Sequence, residues 1–149
     1  MESTQSVAQF FATLFCGLFT GAALYINLVE HPARIECGVE LAATEFAPSY
    51  RRATYLQASL AALGFVCSVV AWLAGATVSW IIGGVLLGSV IPFTLVVMFP
   101  TNKQLIDPSL DRGSEKAAQL LSRWGRLHWV RSGVSFAAIV IFLYALVVG

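Results

Sequence analysis

Every lysine and arginine of this chain falls in two segments, and the stretches around them carry no formal charge. Asp, Glu, Lys and Arg are absent from residues 7–29, 53–74, 76–99 and 132–149. A hydrocarbon core of roughly 30 Å takes about 20 apolar residues of helix to cross. The first three windows have that length. The last has 18 residues and crosses with its arginine snorkelling toward the headgroups. Charged residues make up 11% of the chain, against about 25% in a soluble domain. The predicted fold is all-α: an up-and-down integral membrane four-helix bundle with amphipathic segments outside the spans. It forms one domain over residues 1–149, with spans at about 7–29, 53–74, 76–99 and 132–148.

Orientation follows from where the cations lie. Segment 30–52 holds Arg34, Arg51 and Arg52; segment 100–131 holds Lys103, Arg112, Lys116, Arg123, Arg126 and Arg131. These nine are all there are, and the N-terminal tail, the turn near residue 75 and the C-terminus have none. The positive-inside rule puts both charged segments in the cytoplasm and both termini outside, in the plasma (inner) membrane. The tail "MESTQS" lacks the positive n-region of a secretory signal, so the first window is expected to stay as a helix. Seven of the eight acids share the two charged segments and the net charge is only +1, which excludes a nucleic-acid patch. The expected partners are the lipid bilayer and a lipophilic small molecule.

Spans 2 and 3 are joined by "AGATVS", so they must be antiparallel neighbours. In "IECGVELAATEFAPSYRRA", Val39, Ala42, Ala43 and Phe46 have helical spacing before Pro48 interrupts. In "GSEKAAQLLSRWGRLHWVR", Ala117, Leu121, Trp124 and His128 share a face that extends the last helix below the membrane, with Gly125 a weak point. Gly17 and Gly21 in "GLFTG", and Gly84 and Gly88 in "GVLLG", permit close helix approach. They suit packing within the bundle, and a homo-oligomer stays open. Pro92 removes the hydrogen bond to the Gly88 carbonyl, and a kink there would open space in the cytoplasmic half. Cys16 and Cys67 lie at similar depth, but a buried cysteine usually serves as a small apolar residue.

Polar groups gather at one level. The first span ends "YINLVEHPAR", and the stripe Gly17, Gly21, Leu24, Asn27, His31 is expected to pack inward, with Glu30 beside it. Asn102 follows Pro100 at the end of span 3. On the last helix Trp124, His128, Arg131 and Ser135 are spaced 4, 3 and 4 and share a face. Both histidines of the chain thus come from the first and last helices, which are neighbours in an up-and-down bundle. Each member also has a bland use: tryptophans and arginines anchor helices at an interface, Glu30 can pair with an arginine of the other loop, and His31 can cap its helix. Ionisable groups that converge at membrane depth mark functional sites.

The pattern Pro100, Asn102, Leu105, followed by Trp124, the "HWVR" stretch and a last apolar helix containing "FAA", resembles the anthrone-oxygenase-like integral membrane family. Four spans and Pro32 after the first of them extend the resemblance over the whole chain. Some fungal members are implicated in oxidising anthrones to anthraquinones with O₂ without a recognised cofactor. The resemblance implies that Asn102, Trp124 and Arg131 match the family's polar positions. His128 departs from it, standing where another polar residue, often Asn, is expected.

The expected function is oxidation of a lipophilic phenolic or polycyclic substrate at a polar pocket opening toward the cytoplasm. His128 or His31 would be the base. Arg131 and Asn102 would stabilise the enolate oxygen. Trp124, with Asn27 and Glu30, would hold the substrate. No cofactor is required by this reading. Two alternatives are a haem- or metal-binding membrane subunit ligated by His31 and His128, and a non-catalytic structural or assembly protein. A reporter fused to the C-terminus is expected to read as periplasmic or extracellular, and cytoplasmic activity of that fusion would overturn the orientation.

Overall fold

The computed structural model describes residues 2–148; Met1 and Gly149, the extreme residues of the expected domain, lie outside them. The first span is α1 (Glu2–Tyr25), one widened turn of π-helix (Ile26–Glu30) and α2 (His31–Glu36), in one unbroken rod. After Gly38, whose φ of 101° turns the chain, α3 (Val39–Leu73) forms the second span. Span 3 is α4 (Val78–Phe93), a second π-turn (Thr94–Met98) and α5 (Phe99–Leu105). Span 4 is α6 (Glu115–Val148). Among the described residues there are no strands, and all four rods are long and apolar enough to cross a membrane.

The rods form an up-and-down square. The first packs on α3 and α6, and α4 packs on the same two, with far less contact across the diagonals. The interior has two layers. One, distant from the charged loops, is built on Phe19, Leu87, Trp80 and Phe142, whose last two rings stack at 5.0 Å. The other, toward the loops, is built on Phe46, Met98, Leu121 and Trp124.

Prolines shape the rods in two ways. Each π-turn ends two residues before a proline, at Pro32 and at Pro100. A proline lacks an N–H and its ring crowds the carbonyl four residues back. The widened turn accommodates this: His31 N–H bonds Ile26 O and Phe99 N–H bonds Thr94 O, each five residues back. Pro48 does not interrupt its segment as expected, because α3 runs straight through it. The carbonyl it leaves unpaired belongs to Thr44, on an exposed face. Pro92 likewise lies inside α4, and the departure from α-geometry comes after it, at the π-turn.

The loop before α6 is held by its own side chains. The Ser109 N–H and hydroxyl both donate to Asp107 Oδ1, at 2.9 and 2.8 Å, and hold that carboxyl below the usual range. Ser114 caps α6 by accepting from Ala117 N–H. The helix then continues for 34 residues with no break at Gly125.

One packing expectation is overturned. Gly21 is exposed, and nothing lies within 4 Å of a side chain added there. The inward stripe of α1 is Ala8, Ala12, Cys16, Phe19 and Ala23, continuing to Ile26 and Asn27. It lies beside the Gly17–Gly21 line, because positions 12, 16, 23 and 27 share a face that 17 and 21 do not. Cys16 donates to the Ser135 carbonyl at 3.8 Å, and both it and Cys67 are free thiols. Close approach is instead the property of Gly64, Gly83, Gly84 and Gly88. A Cβ on Gly83 would stand 2.5 Å from the Phe142 ring, and one on Gly84 would overlap the Ser68 hydroxyl. Gly83→Leu should therefore destabilise the detergent-solubilised protein by about 1–3 kcal/mol or more, while Gly21→Leu leaves its thermal midpoint unchanged. Equal midpoints for the two variants would contradict this assignment of faces.

Candidate functional site

Between the two apolar layers lies a cavity of about 120 Å³. His128, Arg131 and Trp124 reach it from α6, Asn102 from α5, and Glu30 from the first π-turn. Five of the seven residues singled out from sequence therefore line one space. The other two stand behind it. Asn27 is packed against the rear of His128, and His31 lies over Gly125 and against Trp124.

His128 is almost fully buried, at 1% exposure. Its Nδ1 lies 2.7 Å from Asn27 Oδ1. An amide oxygen can only accept, so Nδ1 carries a proton, and in the neutral ring Nε2 then keeps its lone pair. The Ser132 hydroxyl donates to the same Asn27 oxygen. Two donors on one acceptor fix both the tautomer and the plane of the imidazole. The Trp124 ring stacks on it at 4.8 Å and 30°. Phe46 meets Trp124 edge-on at 5.3 Å, and His31 leans on the same indole at 5.1 Å.

The two arginines at this depth have opposite surroundings. Arg34 is paired with carboxylates: it bonds Glu30, which also accepts from Ser49 at 2.9 Å, and its Nε lies 3.0 Å from Glu45. Glu30 thus pairs within its own rod, not with the other loop. Arg131 donates to the neutral amide of Gln57 at 2.8 Å and lies over the Phe19 ring at 5.5 Å. Its Nε has no partner, and among the described residues no carboxylate pairs with it. Asn102 is 1% exposed, with Nδ2 on the Tyr50 hydroxyl at 3.4 Å and Oδ1 unpartnered. The site therefore offers an imidazole lone pair, an uncompensated cation and an amide around a mostly apolar space. Ser135 is also buried on the α6 face, but it bonds back to the Ser132 carbonyl.

His31 and His128 do not meet across the cavity, because His128 lines it and His31 does not. Among the described residues no three His, Cys, Asp or Glu side chains gather as a metal site. Sequence reasoning missed Gln57, Ser132 and Tyr50. The signal for Gln57 was present, as the one amide within the second charge-free window. Ser132 could be found only once Asn27 was known to face it.

With this geometry in place, comparison with protein families is decisive. The model of the anthrone oxygenase family matches residues 46–141. The chain belongs to the anthrone oxygenase family. The match takes in most of α3, span 3 and most of α6, and so covers Asn102, Trp124, His128 and Arg131. Comparison with curated proteins and with solved structures returns no match. The Asn27 end of the hydrogen-bond network lies outside the matched region, so the structure alone connects it to the family's residues.

Gly125 makes room for His31: a Cβ there would stand 2.6 Å from His31 Nε2. Gly125→Ala should cost about 1–3 kcal/mol. His31→Ala should remove most of that cost, giving a coupling of about 0.5–3 kcal/mol in a double-mutant cycle read by thermal unfolding. Additive effects would mean that the ring does not rest on Gly125.

Proposed function

We propose that the protein oxidises a lipophilic, enolisable polycyclic substrate of the anthrone class with O₂, at the cavity between the two core layers. The observation that carries this reading is the pairing of His128 Nε2, free to accept a proton, with Arg131, a buried cation without a carboxylate, on one wall of the same space. Family membership supports the same class of reaction. The charge bias of nine cations to none supports the reading that this end of the bundle faces the cytoplasm.

The substrate carries a ketone and an activated methylene. His128 Nε2 takes a proton from that methylene, and the electron pair spreads to the ketone oxygen as an enolate. Arg131 stabilises the developing oxyanion, which in a water-poor site would otherwise be costly. The enolate carbon gives one electron to O₂. The resulting superoxide and carbon radical combine to form a C–O bond. The His128 imidazolium returns its proton to the peroxide oxygen. Loss of water from that hydroperoxide, with the remaining hydrogen on the carbon, leaves a second carbonyl. The balance is one methylene and one O₂ converted to one carbonyl and one water. Trp124 supplies a face for the rings. Of the two histidines, His128 is the base, since His31 does not reach the cavity.

The test is O₂ uptake together with appearance of the quinone from anthrone, using purified protein in detergent. His128→Ala should slow oxidation by at least about 100-fold, and Arg131→Ala comparably. Arg126 is exposed and bonds only Ser122, at 2.9 Å, so Arg126→Ala should be nearly silent. An Arg126→Ala as damaging as His128→Ala, or a wild-type protein no faster than buffer, would overturn the reading.

A further inference from the structure

The cavity is not closed on all sides, and its open side faces lipid. Its floor is buried: Phe19, Gln57, Asn102, Trp124 and His128 are each at most 6% exposed. Its rim is not. Thr54 and Ala58 on α3, and Leu95 and Phe99 on span 3, also line it and are exposed, Leu95 at 64%. These four flank the seam between the second and third spans. Ala58 and Leu95 lie inside the charge-free windows 53–74 and 76–99, so the opening is at hydrocarbon depth.

Local structure explains why the seam parts here. Toward the outer half, Gly84 and Gly88 of α4 sit close against Ser68 and Phe65 of α3. Past Pro92 the third rod widens into its π-turn, and Thr94 and Leu95 of that turn form the rim. The small side chain of Ala58 faces them from α3. Zipped by glycines at one end and parted at the other, the two helices leave a slot.

We infer that the substrate enters this site sideways from the bilayer, through the slot between spans 2 and 3, one ring first. This rests on the proposed oxidation for the substrate's class and extends it to route and size. A cavity of about 150 Å³ holds a benzene ring, so the 120 Å³ here takes at most the reacting ring of a fused system. The remaining rings stay in the slot, between Ala58 and Leu95, against acyl chains. A flat, uncharged polycycle dissolved in the membrane fits such an entrance; a water-borne charged molecule does not, because the rim at hydrocarbon depth offers no ion.

The experiment needs binding without turnover. The wild-type protein is placed in phosphatidylcholine nanodiscs under argon, and 9,10-anthraquinone is delivered from phosphatidylcholine vesicles. Association is followed by quenching of tryptophan fluorescence, assigned to the site by its loss in Trp124→Phe. Ala58→Phe and Thr54→Phe narrow the slot and should slow association by about ten-fold or more. Leu63→Phe, on the lipid-facing side of α3 and outside the cavity lining, should leave the rate unchanged. Thr54 is exposed, so its variant folds even if Ala58→Phe does not. Unchanged rates in both narrowed variants, equal slowing by Leu63→Phe, or no quenching in the wild type would each overturn the inference. Binding through the slot by a protein that fails to oxidise anthrone in air would refute the oxidation and leave the route standing.

Discussion

The contact on which the rest of the structure turns is the hydrogen bond from His128 to Asn27. An imidazole and an amide buried in a bundle surrounded by lipid have no water to fall back on, and an unpaired polar group there costs several kcal/mol. The bond is made between the first and last rods, 101 residues apart, and Ser132 adds a second donor to the same oxygen. Bringing Asn27 Oδ1 to its two donors on α6 fits one rotation of the first rod. The Ala12, Cys16, Ala23 line that shares its face turns inward, and Gly21 turns outward. The face of a helix that looks easiest to pack loses to the face that carries a polar group needing a partner.

Local backbone geometry then refines what each rod can present. The two π-turns stand at the same end of the bundle, one carrying Asn27 and Glu30, the other Thr94 and Leu95 at the cavity rim. Each inserts one extra residue per turn and so re-aims the side chains that follow it. Gly125 serves the same end by absence. Without a Cβ it lets the His31 ring lie on α6, which presses that ring against Trp124 and helps hold the indole over His128.

Charge is distributed to match. Arg34 is neutralised by Glu30 and Glu45, so that part of the wall is electrostatically quiet. Arg131 has only an amide and a ring face for company. A cation held in this way is strongly attractive to an oxyanion in a low-dielectric site and offers much less to a neutral ground state. This difference is what a catalyst of enolate formation requires.

What the residues alone determined is what depends on composition and short-range period. Four charge-free windows specify four spans, because length and absence of charge decide insertion irrespective of partners. The short link between spans 2 and 3 determines their pairing. The face shared by Trp124, His128 and Arg131 follows from helical spacing on one rod, and so was legible. What lies between rods was not. Whether Gly21 or Cys16 faces inward, which histidine lines the cavity, and that Gln57 and Ser132 would be partners depend on the relative rotation of neighbouring helices. That rotation fits the pairing of buried polar groups across the bundle, a long-range match that no single rod's periodicity contains. The slot between spans 2 and 3 is of the same kind, since it exists only where one rod widens beside a small residue of another.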